Sequence, residues 1–120
     1  MRYVLLFCGT REDREEFERM NQEQMAARYA EVARWFGEHG SKIRSTNQLQ
    51  PEETATSVRF SSGRAVVTDG PFLEGNKLIG GYADVEVADL DEALSMARSW
   101  PGRGVVEIRP VVEGVAPPPA

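Results

Sequence analysis

The residue best placed to do chemistry in this chain is Asp69. It ends the apolar run Val66-Val67-Thr68 and opens the stretch Asp69-Gly70-Pro71-Phe72. A carboxylate held by a Gly-Pro loop can serve as a general base or acid if neighbouring groups orient it and hold a ligand. Glu74, Tyr82 and Arg109 are side chains of the right type for that work, and Gly70, Pro71 and Phe72 would shape the loop around them. The same four residues also read as a plain turn. An Asp before Gly often folds its carboxylate onto the following backbone N–H groups. Gly70 can take a positive φ and Pro71 fixes the next one. Local sequence favours the turn, and both readings stay open at this point.

The other reactive side chains have simpler readings. Cys8 lies in an apolar strand and reads as buried filler rather than as a nucleophile. His39, in Glu38-His39-Gly40, ends a helix and complements its dipole. Gly80-Gly81 could admit a ligand close to the backbone, but a bulge or tight strand entry explains it more simply. No phosphate-loop pattern is present. With one Cys and one His, neither an intrachain disulfide nor a Cys/His zinc site can form within one chain. No Asp/Glu spacing announces a magnesium or manganese site, and no cofactor signature stands out, so neither metal nor cofactor is expected.

These residues must be positioned by a small scaffold. The 120 residues suggest one domain, and 41% hydrophobic with 28% charged residues is ordinary for a globular chain. Net charge is −5 and no segment concentrates Lys and Arg, so nucleic acid and anionic membranes are not expected as partners. The apolar run from Tyr3 to Cys8 is shorter than a signal peptide's apolar region, and no run approaches a membrane span, which predicts a cytoplasmic protein.

Residues 2–8 predict a strand with apolar side chains on both faces: Tyr3, Leu5 and Phe7 on one, Val4, Leu6 and Cys8 on the other. A helical region runs from about Asp13 to His39. Asn21 with Gln24 resembles a capping box, so the main helix begins near Gln22 and residues 11–20 form a separate short helix. Met25, Tyr29, Val32 and Phe36 make one apolar stripe, expected to be core, with Trp35 at its border. Residues 45–51 and 54–60 read as short strands, and Ser61-Ser62-Gly63 as a hairpin turn into residues 64–68. Residues 80–87 alternate, with Ala83, Val85 and Val87 opposite Tyr82, Asp84 and Glu86. Asp89 caps a helix over 90–100 that carries Leu90, Ala93, Leu94, Ala97 and Trp100. Residues 105–112 form the last strand, and 113–120 a Pro-rich tail. The fold class is α+β, a ferredoxin-like βαββαβ unit with two helices on one face of an antiparallel sheet. Helices on one face leave the second apolar face of the first strand uncovered, which predicts a homodimer with sheets face to face. Glu107 and Arg109 would share that open face with Tyr82, Asp84 and Glu86.

With these elements in place the chain resembles the YCII-related family, and within it the bacterial branch named for its DGPF motif. The matching residues are 67–72 (VTDGPF), Glu74, 80–82 (GGY), 89–94 (DLDEAL) and 106–111 (VEIRPV), with support from 2–9 and 49–59. The resemblance spans residues 1–112 as a single domain. It implies a dimeric α/β barrel-like assembly and a small-molecule active site whose key acid is Asp69. Encoding of family members beside extracytoplasmic-function sigma factors implies the alternative, a non-catalytic regulatory module that binds such a factor. Two departures stand out. Asn76 and Lys77 occupy the positions where the family loop carries Lys and Glu. The first helix also lacks the His that founding members pair with the Asp, so a His–Asp dyad is not supported.

Overall fold

A computed structural model describes residues 1–73 and 75–114. Glu74 and residues 115–120, the greater part of the Pro-rich tail, lie outside the described residues. The elements in chain order are β1 (Arg2–Thr10), α1 (Arg11–Glu18), α2 (Gln22–His39), β2 (Ile43–Gln48), a 3-10 turn (Glu52–Thr54), β3 (Thr56–Ser61), β4 (Arg64–Asp69), β5 (Lys77–Glu86), α3 (Leu90–Arg98) and β6 (Val105–Pro110). The main sheet has four strands in the order β2-β5-β1-β6, every neighbouring pair antiparallel. That order is compatible with a ferredoxin-like fold. The chain is α+β with three helices rather than two, and β3 and β4, which follow β2 and precede β5 in the chain, form a two-stranded sheet of their own.

Local chemistry sets most boundaries. Asn21 and Gln24 form a reciprocal capping box at the start of α2, as the sequence predicts. Thr10 and Asp13 form a second box at α1. Asp89 Oδ1 accepts from the Glu92 N–H at 3.0 Å to open α3. That helix ends at Arg98, two residues short of the expected Trp100, which lies beyond the helix with its N–H on the Ala97 carbonyl. The hairpin turn is Ser62-Gly63, with φ of 49° and 77°; two left-handed residues in a row match the right-handed twist of the strands they join.

The core is the contact between the main sheet and α2 and α3: Tyr3, Leu5, Ala83, Val85 and Val87 from the sheet side meet Trp35, Ala93 and Met96. Trp35 is 2% exposed and is the only buried residue of α2. Its Nε1–H donates to the Met96 carbonyl and to Ser99 Oγ, both at 3.0 Å, so the ring locks α2 to α3. Phe7, Phe36 and Trp100 meet it edge to face, with centroids at 5.9, 5.0 and 5.0 Å. His39 packs against the same indole, and its Nε2 lies 3.2 Å from Ser99 Oγ, a structural role at the helix end.

Of the stripe expected to be core, Phe36 is half-buried and packs against the core cluster, whereas Met25, Tyr29 and Val32 do not join it, and Tyr29 is 53% exposed. Helix α2 presents Trp35 to the sheet because that ring has both hydrogen-bonding partners and aromatic neighbours there, and Tyr29 and Val32 are left facing an open space that Phe36 borders. Cys8 is likewise half-buried rather than buried, on the uncovered side of β1.

Leu5 is fully buried between Ala83 and Ile108 on the neighbouring strands. Leu5→Ala is expected to cost about 2–5 kcal/mol of unfolding free energy in urea, because the rigid sheet cannot close the cavity. A loss below about 1 kcal/mol would show that this layer repacks freely.

Candidate functional site

The motif residues sit at the base of the β3–β4 arm. Thr56 pairs with Asp69, the Gly70 N–H donates to the Ala55 carbonyl at 2.8 Å, and Ser57 Oγ donates to the Gly70 carbonyl at 2.6 Å. Gly70 has a φ of +116°, a conformation a side chain would strain. The turn is therefore fixed by backbone and by Ser57. The Asp69 carboxylate has no hydrogen-bond or ion-pair partner among the described residues, and the residue is exposed. It does not cap its own loop. Pro71 is exposed and Phe72 is 76% exposed, so in a single chain the motif lines no cleft. Glu74 lies outside the described residues.

A set of ion pairs places this base. Arg14 on α1 pairs with Glu52 and lies 3.2 Å from Glu53 and 3.4 Å from Glu18, and Arg11 Nε is 3.6 Å from Glu52. Loss of hydration opposes the Arg14 charge, but Glu52, Glu53 and Glu18 outweigh it and push the guanidinium above its already high range. The pairs hold the 3-10 turn against α1, and through Ala55 that turn holds Gly70. On the far side of the motif, the Arg11 N–H donates to the Asn76 carbonyl, so both ends of the loop are tied to the start of α1.

Tyr82 and Arg109 are elsewhere, on the uncovered face of the main sheet. Leu6 stands between Tyr82 and Glu107, and Val4 between Asp84 and Arg109, so the expected common face of β5, β1 and β6 is present. Tyr82 Oη accepts from Asn47 Nδ2 at 2.9 Å across to β2. Arg109 Nη1 is 3.3 Å from Glu107, both exposed. Arg2 pairs with Asp84 at 2.8 Å, with Arg2 Nε and Asp84 Oδ1 shielded and unpartnered. Burial pushes the Cys8 thiol above its ordinary range; the charge of Glu107 adds to this and a backbone hydrogen bond there partly offsets it. The face therefore has a half-buried apolar centre of Val4, Leu6 and Cys8 between polar and charged flanks. The fold puts Tyr82 and Arg109 on one face, on strands either side of β1 and not in contact, and keeps Asp69 in the second sheet.

On the opposite, helix-bearing side a cavity of about 500 Å³ opens between α2, α1 and the sheet, adjoining a second of about 380 Å³. The larger is walled by Phe7, Phe17, Tyr29, Val32, Phe36 and Trp100, with Arg28 at its edge. Sequence reading missed it, because the stripe that would signal it reads as core. Gly80 and Gly81 line its floor where β5 bulges against β1, and a Cβ on Gly81 would lie 2.9 Å from the Asn47 carbonyl oxygen. The glycine pair is thus the bulge that the sequence favours.

The model of the YCII-related domain matches residues 1–114, nearly the whole of the structure described above. The chain belongs to the YCII-related family. An uncharacterised protein of Rhizobium meliloti (strain 1021) is 37% identical over 84 residues, which cover 67% of each chain. No described helix of this YCII-related protein is long and apolar enough to cross a membrane.

Glu52→Gln is expected to free the base of the arm without unfolding the core. Limited proteolysis should cut residues 49–60 faster than in the parent, at an unchanged global midpoint. Equal cleavage rates would mean that the ion pairs do not hold the turn.

Proposed function

We propose that the protein is a homodimer closed through the uncovered sheet face, carrying a small-molecule site with acid–base chemistry centred on Asp69. The observation that carries this reading is the Asp69 carboxylate, which is exposed and unused by the turn that fixes its backbone. A carboxylate held on a rigid loop with its oxygens available is suited to take or give a proton. Tyr82 and Arg109 would position the ligand, and Gly70, Pro71 and Phe72 would shape the loop, with Glu74 following. Because Asp69 and the Tyr82–Arg109 face lie in different sheets of one chain, the arm of one copy completes the site on the other. Membership of the branch marked by the Asp-Gly-Pro-Phe motif is part of this proposal.

The half-buried Val4 and Leu6 supply the apolar contact for the dimer, and the charged flanks its rim. Leu6→Arg should leave the fold intact, since Glu107 stands beside it, and separate the copies. In sedimentation velocity the parent should run at twice its 13.3 kDa and the variant at the single-chain mass. An unchanged mass would place the interface elsewhere.

The site itself is tested by a thermal-shift screen of polar metabolites on the parent and on Asp69→Asn. A ligand at about 100 times its Kd stabilises the folded state by about 2.7 kcal/mol, enough to raise the midpoint by several degrees. Compounds that do so for the parent should leave Asp69→Asn unmoved, with equal unliganded midpoints. Equal shifts in both proteins, or an Asp69→Asn variant that fails to fold, would contradict the role given to Asp69.

A second reading is favoured by one observation. The β3–β4 arm carries Val58, Phe60 and Val67 on one face, with Phe60 81% and Val67 67% exposed. Such a surface suits a regulatory interaction module whose partner is an extracytoplasmic-function sigma factor. Retention of the purified factor by the parent and not by Phe60→Ser would favour it over the ligand site; no retention would remove it.

A further inference from the structure

We propose that the cavity on the helix-bearing side of the sheet is a binding site for a small aromatic carboxylate, separate from the Asp69 site. Tyr29, Val32 and Phe36 recur at helical spacing, a pattern that ordinarily packs into a core, yet here they wall an open space of about 500 Å³. The space is open to solvent at Tyr29, and its size and mostly apolar lining fall within the range of small-molecule sites.

The walls specify the kind of occupant. Phe7 and Trp100 stack at 4.2 Å with an interplanar angle of 28°, and Phe17 meets Tyr29 edge to face at 5.8 Å. Trp100 also stands edge to face with Phe36 at 6.1 Å. The lining thus offers ring faces and ring edges together, which a flat aromatic body satisfies better than an alkyl chain. Thr46, Asn47 and Gln48 of β2 form the remaining edge; the Thr46 hydroxyl donates to the Tyr82 carbonyl, and the Asn47 side chain is turned to Tyr82 on the other face of the sheet. Gly102 keeps a side chain out of the space beside the Trp100 indole.

Charge specifies the rest. Among the described residues Arg28 is the only Lys, Arg, Asp or Glu lining this cavity. It is half-buried, one turn before Val32 on α2, and has no hydrogen-bond or ion-pair partner among the described residues. Of the arginines that line only the adjoining cavity, Arg14 and Arg103 are paired with Glu52 and Glu16, and Arg19 is exposed at the end of α1, outside the aromatic walls. A half-buried, unpaired guanidinium within the aromatic walls, which Arg28 supplies, suits one anionic group, and a carboxylate meets its fork with two parallel hydrogen bonds.

Isothermal titration calorimetry of the full chain with 2-naphthoate, 2-naphthamide and octanoate tests the proposal. Saturable binding of one 2-naphthoate per chain is expected, with 2-naphthamide and octanoate each weaker by about tenfold or more. Arg28→Gln should reduce 2-naphthoate to the affinity of the amide while leaving the amide unchanged. Arg28→Lys should recover part of the loss, and Arg34→Gln, on the exposed side of α2, should bind like the parent. No saturable binding of 2-naphthoate, equal affinity for acid and amide, octanoate as the tighter ligand, or an Arg28→Gln variant that binds 2-naphthoate as the parent does would each overturn it. The readout does not involve Asp69, so failure here leaves the proposed acid–base site standing, and the reverse also holds.

Discussion

Strand β1 is apolar on both of its faces, and the chain supplies helices for one. That imbalance governs the molecule. On the covered side Tyr3 and Leu5 are buried under Trp35, Ala93 and Met96, and the hydrogen bonds from the Trp35 indole to Met96 and Ser99 fix where α3 sits relative to α2. On the uncovered side Val4, Leu6 and Cys8 are only half-buried, between Asp84 and Tyr82 on one flank and Glu107 and Arg109 on the other. A half-buried apolar row inside a polar frame is compatible with the core and rim of an interface, and the proposed dimer rests on it. The proposed dimer follows from that strand.

The same economy explains the arm. A two-stranded sheet standing alone is marginal in water. Here its base is fastened by Arg14 and Glu52 to α1 and by Ala55 to Gly70, while its apolar face stays exposed. The radius of gyration of 16.5 Å exceeds the roughly 13.6 Å expected of a compact chain of this length, in keeping with elements that extend from the core. The arm is anchored at its root, and Phe60 and Val67 on it are exposed to solvent in the single chain.

Much of this was legible in the residues, and the limits are physical. Alternation placed Ala83, Val85 and Val87 inside and Tyr82, Asp84 and Glu86 outside, because a strand has a period of two and a sheet two faces. Asn21 and Gln24 marked the start of α2 because a capping box is a local object. The box at Thr10 and Asp13 was harder to see, since Asp stands where Glu or Gln is usual. Periodicity shows that α2 has an apolar stripe but not how the helix is rolled about its axis. That roll is decided by Trp35 and its partners on α3, more than 60 residues away. The cavity was hidden for the same reason, since an unfilled space has no sequence signature. For Asp69 the residues allowed two readings. The hydrogen bonds of Gly70 and Ser57 show a turn that does not use the carboxylate.

The central claim is that the uncovered face of β1 is closed by a second copy, and small-angle X-ray scattering of the full chain in solution tests it most directly. The dimer predicts a forward-scattering mass of twice 13.3 kDa and a radius of gyration clearly above the 16.5 Å of one chain. A single-chain mass with a radius near 16.5 Å would contradict it, and the apolar row of β1 would then face water.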